Sequence, residues 1–253
     1  MNLDEKIKNK FLLSKKFNLF KLFYYTALKI KSLSKIKKSY SGNYVDLVIE
    51  YFFKNKKKGI YIDVGCRHPF ISNNTYKLYK KGWEGINIDL DYTFIDAFNF
   101  HRPKDCNIQV AVSDKIGTQK MYFHHERSSI NTLEKTRGDR ASETRDVKTT
   151  TLNNIIENSK FSNQLIDFIS IDVEGFELNV LKGLDFKKYK PKILTIEYID
   201  PTMKKEEFYH QNIDNILNSD VYKFMKDNDY HFVQLLHSDL IFVSSDVFFD
   251  KNV

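Results

Sequence analysis

The chain of 253 residues contains only two cysteines, Cys66 and Cys106, so a disulfide framework is excluded and a reducing, cytoplasmic compartment is expected. It has no uncharged apolar run of about 18 residues, so no transmembrane helix is predicted. Lysines interrupt the apolar residues near the N-terminus and no small-residue cleavage site follows, which disfavours a signal peptide. The 42% of hydrophobic residues suffices for a substantial core.

Positive charge is concentrated near the N-terminus. Residues 1–40 hold eleven lysines against Asp4 and Glu5, a net charge of +9, so the rest of the chain carries −2 of the total of +7. That near-neutral remainder disfavours nucleic-acid binding, which needs a basic folded face. We therefore expect a basic arm over residues 1–42 and one domain over 43–253. Apolar residues in the arm recur at steps of three and four and predict an amphipathic helix: Leu13, Phe17, Phe20, Tyr24 and Leu28. This helix either packs on the domain or contacts an anionic membrane, as at the inner membrane face.

From residue 43 onward, helix-like segments alternate with short apolar runs that are typical of buried strands. The predicted strands are 60–65, 85–89, 107–112, 168–172 and 191–198, followed by a hairpin of 230–236 and 239–244. The predicted helices lie near 45–53, 72–82, 93–100 with Thr93 as N-cap, and 211–227. Strands separated by helices predict a doubly wound, Rossmann-like α/β fold with a mostly parallel sheet and a C-terminal antiparallel hairpin.

Each of the five predicted parallel strands ends next to a carboxylate. Ligands of open α/β sheets bind beyond these strand ends, and an uncompensated acid there would cost desolvation energy. Gly65 would let backbone amides approach a ligand, and Asp89 stands where an acid accepts both ribose hydroxyls of a nucleoside. Each acid alone could equally be a helix cap or a turn residue. Together they predict an adenosyl cofactor, with Ser113 and Asp114 near its adenine amine. The strand-end acids are Asp63, Asp89, Asp114, Asp172 with Glu174, and Glu197.

The turn after the first predicted strand distinguishes between adenosyl cofactors. A dinucleotide site uses the pattern G-x-G-x-x-G, which places a pyrophosphate at a helix N-terminus. Here Gly65 is followed by Cys66-Arg67-His68-Pro69, without a second glycine. The turn therefore favours a cofactor without phosphates, S-adenosylmethionine, over NAD.

Four blocks occur in order: "YIDVGCRHP…NNTYKLYKKGWEGINID", "AVSDKIG", "IDFISIDVEGFELNVLKGLDF" and "PKILTIEY". Together they resemble the FkbM-type family of S-adenosylmethionine-dependent O-methyltransferases. The resemblance implies a class I methyltransferase-like fold and a sugar hydroxyl as acceptor, free or nucleotide-linked, in making a bacterial surface polysaccharide such as capsule or lipopolysaccharide. The family's usual Ala-Asn after "DVG" is replaced here, so the resemblance implies that Asn73, Asn74 and Thr75 supply contacts to the methionine part.

Asp172 and Glu174, in "FISIDVEGFEL", form the most specific of these motifs. Methyl transfer from a sulfonium requires a hydroxyl positioned in line and a general base or metal ion that helps to remove its proton. Asp172, Glu174 and Glu197 suit either role. Three close carboxylates repel one another unless a divalent cation such as Mn²⁺ or Mg²⁺, or the hydroxyls of a substrate, lie between them. Alternatively, Glu174 only caps a helix that begins near Gly175.

Further polar residues are candidates for contact with the acceptor. His68, beside the cofactor turn, is a candidate catalytic base, and His237, at the hairpin tip, is a candidate base or substrate contact. Asn131 and Thr132 lie in the polar stretch 126–146, which has no apolar period. That stretch predicts a mobile loop or lid, and we expect Asn131 to touch the acceptor.

Two other function classes fit part of the sequence. Asp89-x-Asp91 is the pattern with which many glycosyltransferases hold a metal and a nucleotide sugar, but that class leaves the "DVG" turn and the D-x-E-G block unexplained. A non-catalytic, membrane-associated scaffold would use the basic arm alone. Nothing in the sequence indicates an oligomeric state.

Overall fold

The computed structural model describes residues 18–33, 39–125, 131–135, 141–200 and 212–249. In chain order the elements are α1 (Asn18–Leu33), α2 (Val45–Phe52), β1 (Ile60–Val64), α3 (Tyr76–Lys80), β2 (Glu84–Asp89), α4 (Tyr92–His101), β3 (Cys106–Gln109), β4 (Ala111–Val112), β5 (Gly117–Phe123), β6 (Glu143–Thr150), α5 (Leu152–Glu157), β7 (Phe168–Ile171), α6 (Glu177–Lys182), α7 (Phe186–Tyr189), β8 (Ile193–Glu197), α8 (Ile213–Asn218), α9 (Asp220–Asp227), β9 (Tyr230–Leu236), β10 (Asp239–Ser244) and α10 (Ser245–Phe248). None of the described helices is both long and apolar enough to cross a lipid bilayer.

The larger of two sheets has seven strands in the order β3-β2-β1-β7-β8-β10-β9. The strands from β3 to β8 in that order run parallel, and β10 and β9 add an antiparallel hairpin. The inner strands are apolar because helices cover both faces, and all five residues of β1 are buried. The predicted doubly wound, Rossmann-like α/β fold with a C-terminal hairpin is confirmed.

Two apolar cores, one on each face of this sheet, fix the positions of the helices. On one face Ile155 of α5, Leu181 of α6 and Met225 of α9 pack against the sheet. On the other face Ile49 of α2 and Leu78 of α3 pack against a second set of strand residues. Because the helices hold the sheet from both sides, its carboxyl edge is a rigid base for a site.

The register of the parallel strands brings their ends into one row. Val64 pairs with Ile88 on one side and with Ile171 on the other, and Ile171 pairs with Ile196. The residues that follow in the chain, Gly65, Asp89, Asp172 and Glu197, therefore leave the sheet at the same edge. Strand order reverses between β1 and β7, which is where ligands of such folds bind.

A second sheet, in the order β4-β6-β5, corrects the prediction of a loop over residues 126–146. Residues 143–146 belong to β6, which pairs antiparallel with β5. The first four residues of β6 are exposed, so the ribbon has no apolar alternation for the sequence to show. The mobility predicted for 126–130 and 136–140 lies outside the described residues.

Further boundaries differ from the predictions, among them the helix predicted near 72–82, which spans Tyr76–Lys80. The N-cap of α4 is Asp91, whose side chain accepts the backbone N–H of Thr93, so Thr93 is not the cap. The predicted strand 107–112 is divided at Val110, because β4 leaves the main sheet to pair with β6. The helix predicted near 211–227 is two helices, since Ser219 ends α8 and caps α9.

The N-terminal helix α1 packs on α4. Tyr25 of α1 is buried, and its hydroxyl donates to Asp96 of α4 at 2.9 Å. Lys21, also buried, forms an ion pair with Asp96 at 3.0 Å. Of the apolar positions predicted for the amphipathic helix, Leu13 and Phe17 lie outside the described residues.

Candidate active site

A cavity of about 410 Å³ opens at the carboxyl edge of the main sheet. Its floor is formed by the strand-end residues Gly65, Asp89, Asp172 and Glu197, so it lies at the reversal of strand order. Its size is that of a small-molecule site. The opposite wall is formed by the second sheet and by the segment that follows β5. Its lining residues are Met121, Phe123, Asn131, Thr132 and Arg145.

Gly65 makes the closest backbone approach in the cavity. Its φ of 78° lies in the left-handed region, and a Cβ at this position would overlap the carbonyl oxygen of Asp172. Only glycine therefore lets the turn after β1 touch the turn after β7. The next residues continue the turn, and Arg67 is also left-handed with a φ of 49°.

Asp89 holds that turn in place. The backbone N–H of Arg67 donates to its Oδ2 and the backbone N–H of Asp91 to its Oδ1, both at 2.9 Å. Burial raises the pKa of Asp89 to about 6, against the effect of these hydrogen bonds. Each carboxylate oxygen has two lone pairs, so Asp89 can still accept two hydroxyls of a ligand in the cavity.

Asp172, Glu174 and Glu197 meet beside the Gly65 turn, where β7 and β8 end. One carboxylate oxygen of each lies within 4.8 Å of the others. Burial raises the pKa of Asp172 well above its usual value, and the charges of Glu197 and Glu174 raise it further. The carboxylate of Asp172 is open to the cavity but protein surrounds it, which is why burial still dominates.

The start of the helix after Glu174 involves another carboxylate as the acceptor of backbone N–H groups. Helix α6 begins at Glu177, and it is Glu177 whose Oε1 accepts the backbone N–H groups of Val173 and Gly175, at 3.2 and 2.9 Å. Glu174 itself has a φ of 56°, a conformation that costs a non-glycine residue about 1 kcal/mol or more. Thr132 donates to the carbonyl of Glu174 at 2.8 Å and fixes this conformation.

A comparison with protein-family models matches residues 63–232 to the "Methyltransferase FkbM domain". The chain belongs to the FkbM methyltransferase family. The match covers the cavity floor from the turn after β1 to the end of β8, so the FkbM domain contains the site described above. No curated protein matches the chain.

Solved structures that resemble the chain include two at 11% identity and a TM-score of 0.41. One is a TehB-like SAM-dependent methyltransferase from Corynebacterium glutamicum, matched over 87% of this chain and 96% of the other. The other is monomeric WbdD, matched over 85% of this chain and 48% of the other.

The structure brings some of the predicted site residues of this FkbM domain together in the cavity. Gly65 and Asp89 follow β1 and β2, and the carboxylate cluster follows β7 and β8, so the two groups lie side by side along the cavity floor. Their assignment to the cofactor and the acceptor stays a prediction. The predicted residues that line the cavity are Gly65, Asp89, Asn131, Asp172, Glu174 and Glu197.

Asp63, Asn74 and Thr75 are not among the lining residues. Asp63 pairs with Asn87 and Ser170, one residue before the strand ends, and it is buried under the segment before α3. It accepts the hydroxyl of Thr75 at 2.8 Å and the amide of Asn73 at 2.9 Å. Arg102, fully buried, donates to Thr75, Asn73 and the carbonyl of Pro69. The side-chain amide of Asn74 donates to the hydroxyl of Ser170 at 3.0 Å, and its Oδ1 accepts a hydrogen bond from the hydroxyl of Ser41 at 2.7 Å.

This buried network has a structural consequence for the cofactor turn. Arg102 and Asp63 hold the segment over residues 69–75 against the sheet, and that segment continues directly from the turn of Gly65. Asn73, Asn74 and Thr75, which the family resemblance assigns to the methionine part of the cofactor, therefore stabilise the Gly65 turn from the side away from the cavity.

Ser113 and Asp114 also lie outside the cavity lining. The chain enters the second sheet at β4, where the backbone N–H of Ser113 donates to the carbonyl of Thr150 at 2.8 Å. Ser113 is buried, and its hydroxyl donates to Asp114 at 2.9 Å. Because the predicted third strand is divided, Ser113 and Asp114 lie away from the carboxyl edge of the main sheet, where Asp89 lies.

We expect Asp114→Asn to leave the affinity for S-adenosylhomocysteine within about two-fold of wild type, because the change is small and lies outside the lining. Isothermal titration calorimetry measures this affinity. A loss of affinity of ten-fold or more would support the predicted contact between Asp114 and the adenine amine of the cofactor.

The two candidate histidines have other contacts. His68 accepts the backbone N–H groups of Phe70 and Ile71 on Nδ1, at 3.2 and 3.1 Å, and so shapes the turn before α3. His237 lies at the hairpin tip with a φ of 59°. Its Nδ1 is 3.4 Å from the hydroxyl of Ser238, which is itself 3.4 Å from Oε1 of Glu197. Neither histidine lines the cavity, but Ser238 links His237 to the carboxylate cluster.

Several lining residues carry no signal in the sequence. Aromatic rings of α4 and of the second sheet form one wall, and Arg145 lies over the ring of Phe123 while pairing with Glu143. They belong to a polar ribbon and to the first turn of a helix, where no motif marks them. The lining residues that sequence reasoning missed include Arg67, Tyr92, Phe94, Phe123, Arg145 and Phe176.

Proposed function

We propose that this FkbM-family protein is an S-adenosylmethionine-dependent O-methyltransferase that acts on a hydroxyl of a sugar in the synthesis of a bacterial surface polysaccharide. The observation that carries the proposal is one cavity lined by Gly65 and Asp89 at the ends of β1 and β2 and by three neighbouring carboxylates at the ends of β7 and β8. Family membership supports methyl transfer. A capsule or lipopolysaccharide sugar, free or nucleotide-linked, is the acceptor that the carboxylates suit best.

The donor half of the proposal uses the turn after β1. Gly65 lets the backbone approach the methionine part, and Asp89 accepts the ribose hydroxyls. The turn has no further glycine at which a pyrophosphate could approach, so a cofactor without phosphates fits it better than a dinucleotide. The apolar rings of Phe94 and Tyr92 complete the wall on this side.

The acceptor half uses the carboxylate cluster. A sugar hydroxyl is a very weak acid, so its proton must be taken as the oxygen attacks the methyl group. Glu174 and Glu197 accept hydrogen bonds from hydroxyls and orient the attacking oxygen. A carboxylate with a raised pKa, as in this cluster, is a stronger base than an isolated one. The proton then passes to the cluster, and the methyl group leaves the sulfonium for the oxygen.

A divalent cation is a second proposal for the same cluster. Oxygen atoms of Asp172, Glu174 and Glu197 that lie within 4.8 Å of one another suit Mn²⁺ or Mg²⁺ in the chemistry of their donors. When bound, such an ion would supply charge that lowers the pKa of the acceptor hydroxyl. The carboxylates orient the acceptor in either case.

Thermal shift with two ligands tests the donor half. S-adenosylhomocysteine at about 100 times its dissociation constant should stabilise the protein by about 2.7 kcal/mol, which raises the midpoint by roughly 5–10 °C. A nucleotide sugar such as UDP-glucose with Mn²⁺ should raise it less. A larger midpoint shift with UDP-glucose and Mn²⁺ than with S-adenosylhomocysteine would favour the glycosyltransferase alternative. Against that alternative, Asp91 of the Asp89-x-Asp91 pattern already serves as the N-cap of α4.

A radiolabelled methyl group tests the acceptor half. Transfer from S-adenosylmethionine to a panel of free, nucleotide-linked and polymeric sugars should give base-stable labelled product, as expected of a methyl ether. Label on carboxyl groups would be base-labile and would contradict O-methylation of a hydroxyl. Cofactor binding without transfer to any sugar would overturn the sugar assignment and leave the donor half standing.

A further inference from the structure

Helix α1 has two faces with different surroundings. Lys21 and Tyr25 point toward the domain and are 7% and 3% exposed. Both contact Asp96 of α4, and Tyr25 also packs against the ring of Phe100. The inward face therefore fixes the orientation of α1 on the domain.

The outward face of α1 is apolar. Leu19, Phe23 and Ile30 are 72%, 73% and 62% exposed, and Leu22 is 40% exposed. At 100° per residue Leu19, Phe23 and Ile30 fall within about 40° of one another, opposite Lys21 and Tyr25, and Leu22 flanks this stripe. Four large apolar side chains exposed together on one helix are unusual for the surface of a soluble domain and mark an interaction site.

The charge of the segment indicates what the stripe binds. Residues 1–40 carry +9, whereas the remaining residues sum to −2. An apolar stripe on a helix within a lysine-rich segment matches a lipid surface, whose acyl region accepts the side chains and whose anionic headgroups attract the lysines. A protein partner would meet the apolar face equally well, but it gives no reason for the excess of lysine.

We infer that α1 binds the surface of an anionic membrane through Leu19, Leu22, Phe23 and Ile30 while its other face remains docked on α4. The helix lies in the membrane plane and does not cross it. Lys21 lies over the ring of Tyr92, at 5.4 Å from its centroid, and Tyr92 lines the cavity. Membrane binding therefore places the lipid surface one helix away from the site.

Vesicle sedimentation of the full-length protein tests this inference. Wild type should pellet with vesicles of 30% phosphatidylglycerol and 70% phosphatidylcholine, and much less with pure phosphatidylcholine. The variant Leu19→Gln, Phe23→Gln, Ile30→Gln should bind the anionic vesicles about ten-fold more weakly or worse, because it loses the inserted side chains and keeps every lysine. The three residues are exposed, so the thermal midpoint should not fall.

A matched control changes exposed apolar residues elsewhere. Ile116→Gln with Leu165→Gln, at positions 66% and 77% exposed, should bind vesicles as wild type does. Equal binding of the triple variant and wild type, or no binding by wild type, would overturn the inference. Loss of a wild-type dimer in the triple variant, measured by analytical ultracentrifugation without vesicles, would also overturn it and assign the stripe to a second copy. Each readout is independent of methyl transfer, so failure of the proposed function would leave the result unaffected.

Discussion

Asp89→Asn is expected to weaken binding of S-adenosylmethionine by roughly 30- to 1,000-fold, equivalent to about 2–4 kcal/mol. The carboxylate lines the cavity at the end of β2, where two ribose hydroxyls need one charged acceptor. Asparagine keeps the shape but loses the charge and one acceptor. Calorimetry with S-adenosylhomocysteine measures the change, and an unchanged affinity would refute the ribose assignment.

The same substitution also acts on the protein itself. The amide that replaces the carboxylate would retain one oxygen for the N–H groups of Arg67 and Asp91, so one of these donors loses its partner. Urea unfolding of the variant without ligand separates this effect from the loss of affinity. Asp114→Asn is the matched control, because it removes a carboxylate that is not among the residues lining the cavity.

The raised pKa of Asp89 gives this binding a pH dependence with a defined sign. Hydroxyl donors need the ionised carboxylate, so wild-type affinity should fall about ten-fold per pH unit below pH 6. Without ligand, the folded state holds the proton more tightly than the unfolded chain. The contribution of Asp89 to stability therefore falls as pH rises from about 4 to about 6. Stabilisation by the cofactor should be greatest above pH 6, and the Asp89→Asn variant should show a flat profile.

The double substitution Asp172→Asn, Glu174→Gln is expected to lower turnover by about 10²- to 10⁴-fold, the range of a lost general base. Cofactor affinity should stay near that of wild type, because neither residue follows β1 or β2, whose ends the proposal assigns to the cofactor. Single-turnover transfer of a labelled methyl group, with calorimetry in parallel, separates the two quantities. Full activity in the double variant would show that the carboxylates are structural.

Stability provides a second readout for the same residues. The pKa of Asp172 is raised in the fold, so ionising it opposes folding as pH rises, and an amide at this position removes that effect. Asp172→Asn should therefore unfold no more easily than wild type at neutral pH while it loses activity. Glu174→Gly should likewise keep or gain stability, because glycine adopts a φ of 56° without strain. A loss of stability together with activity would instead indicate a packing role.

Chelation distinguishes the two proposals for the cluster. If a cation is bound, EDTA should suppress wild-type turnover and Mn²⁺ or Mg²⁺ should restore it. Glu197→Gln should then raise the metal concentration needed for half-maximal activity. If the carboxylates hydrogen-bond the acceptor directly, EDTA should have no effect and the Asp172 and Glu174 variants should still fail.

The sequence predicts the parallel core well because its strands are buried on both faces and read as apolar runs. The same feature locates Gly65, Asp89, Asp172 and Glu197, since parallel strands end at one edge. The apolar strand pattern does not locate Ser113. β4 joins a second sheet because it pairs with β6, about forty residues later in the chain.

The wall opposite the strand ends is the part that sequence reasoning misses. β6 is polar and exposed over its first half, and its strand character comes from cross-strand pairing with β5, so Arg145 carries no local signal. In β5 only the last positions, Met121 and Phe123, alternate as buried residues, which is too short a pattern to mark a strand. The buried arginine network is missed for a related reason. Arg102 follows α4 as an ordinary basic residue at a helix end, and only the docking of residues 69–75 buries it.

The contact between Gly65 and the carbonyl of Asp172 joins the donor and acceptor turns through main-chain atoms alone. In the proposed reaction the backbone would then set the distance from methyl donor to attacking oxygen, and the carboxylate cluster would orient that oxygen. Substitutions in the opposite wall would change which acceptor fits without altering the line of transfer. A scaffold of this kind can diversify its substrates over evolution while its reaction geometry is inherited unchanged.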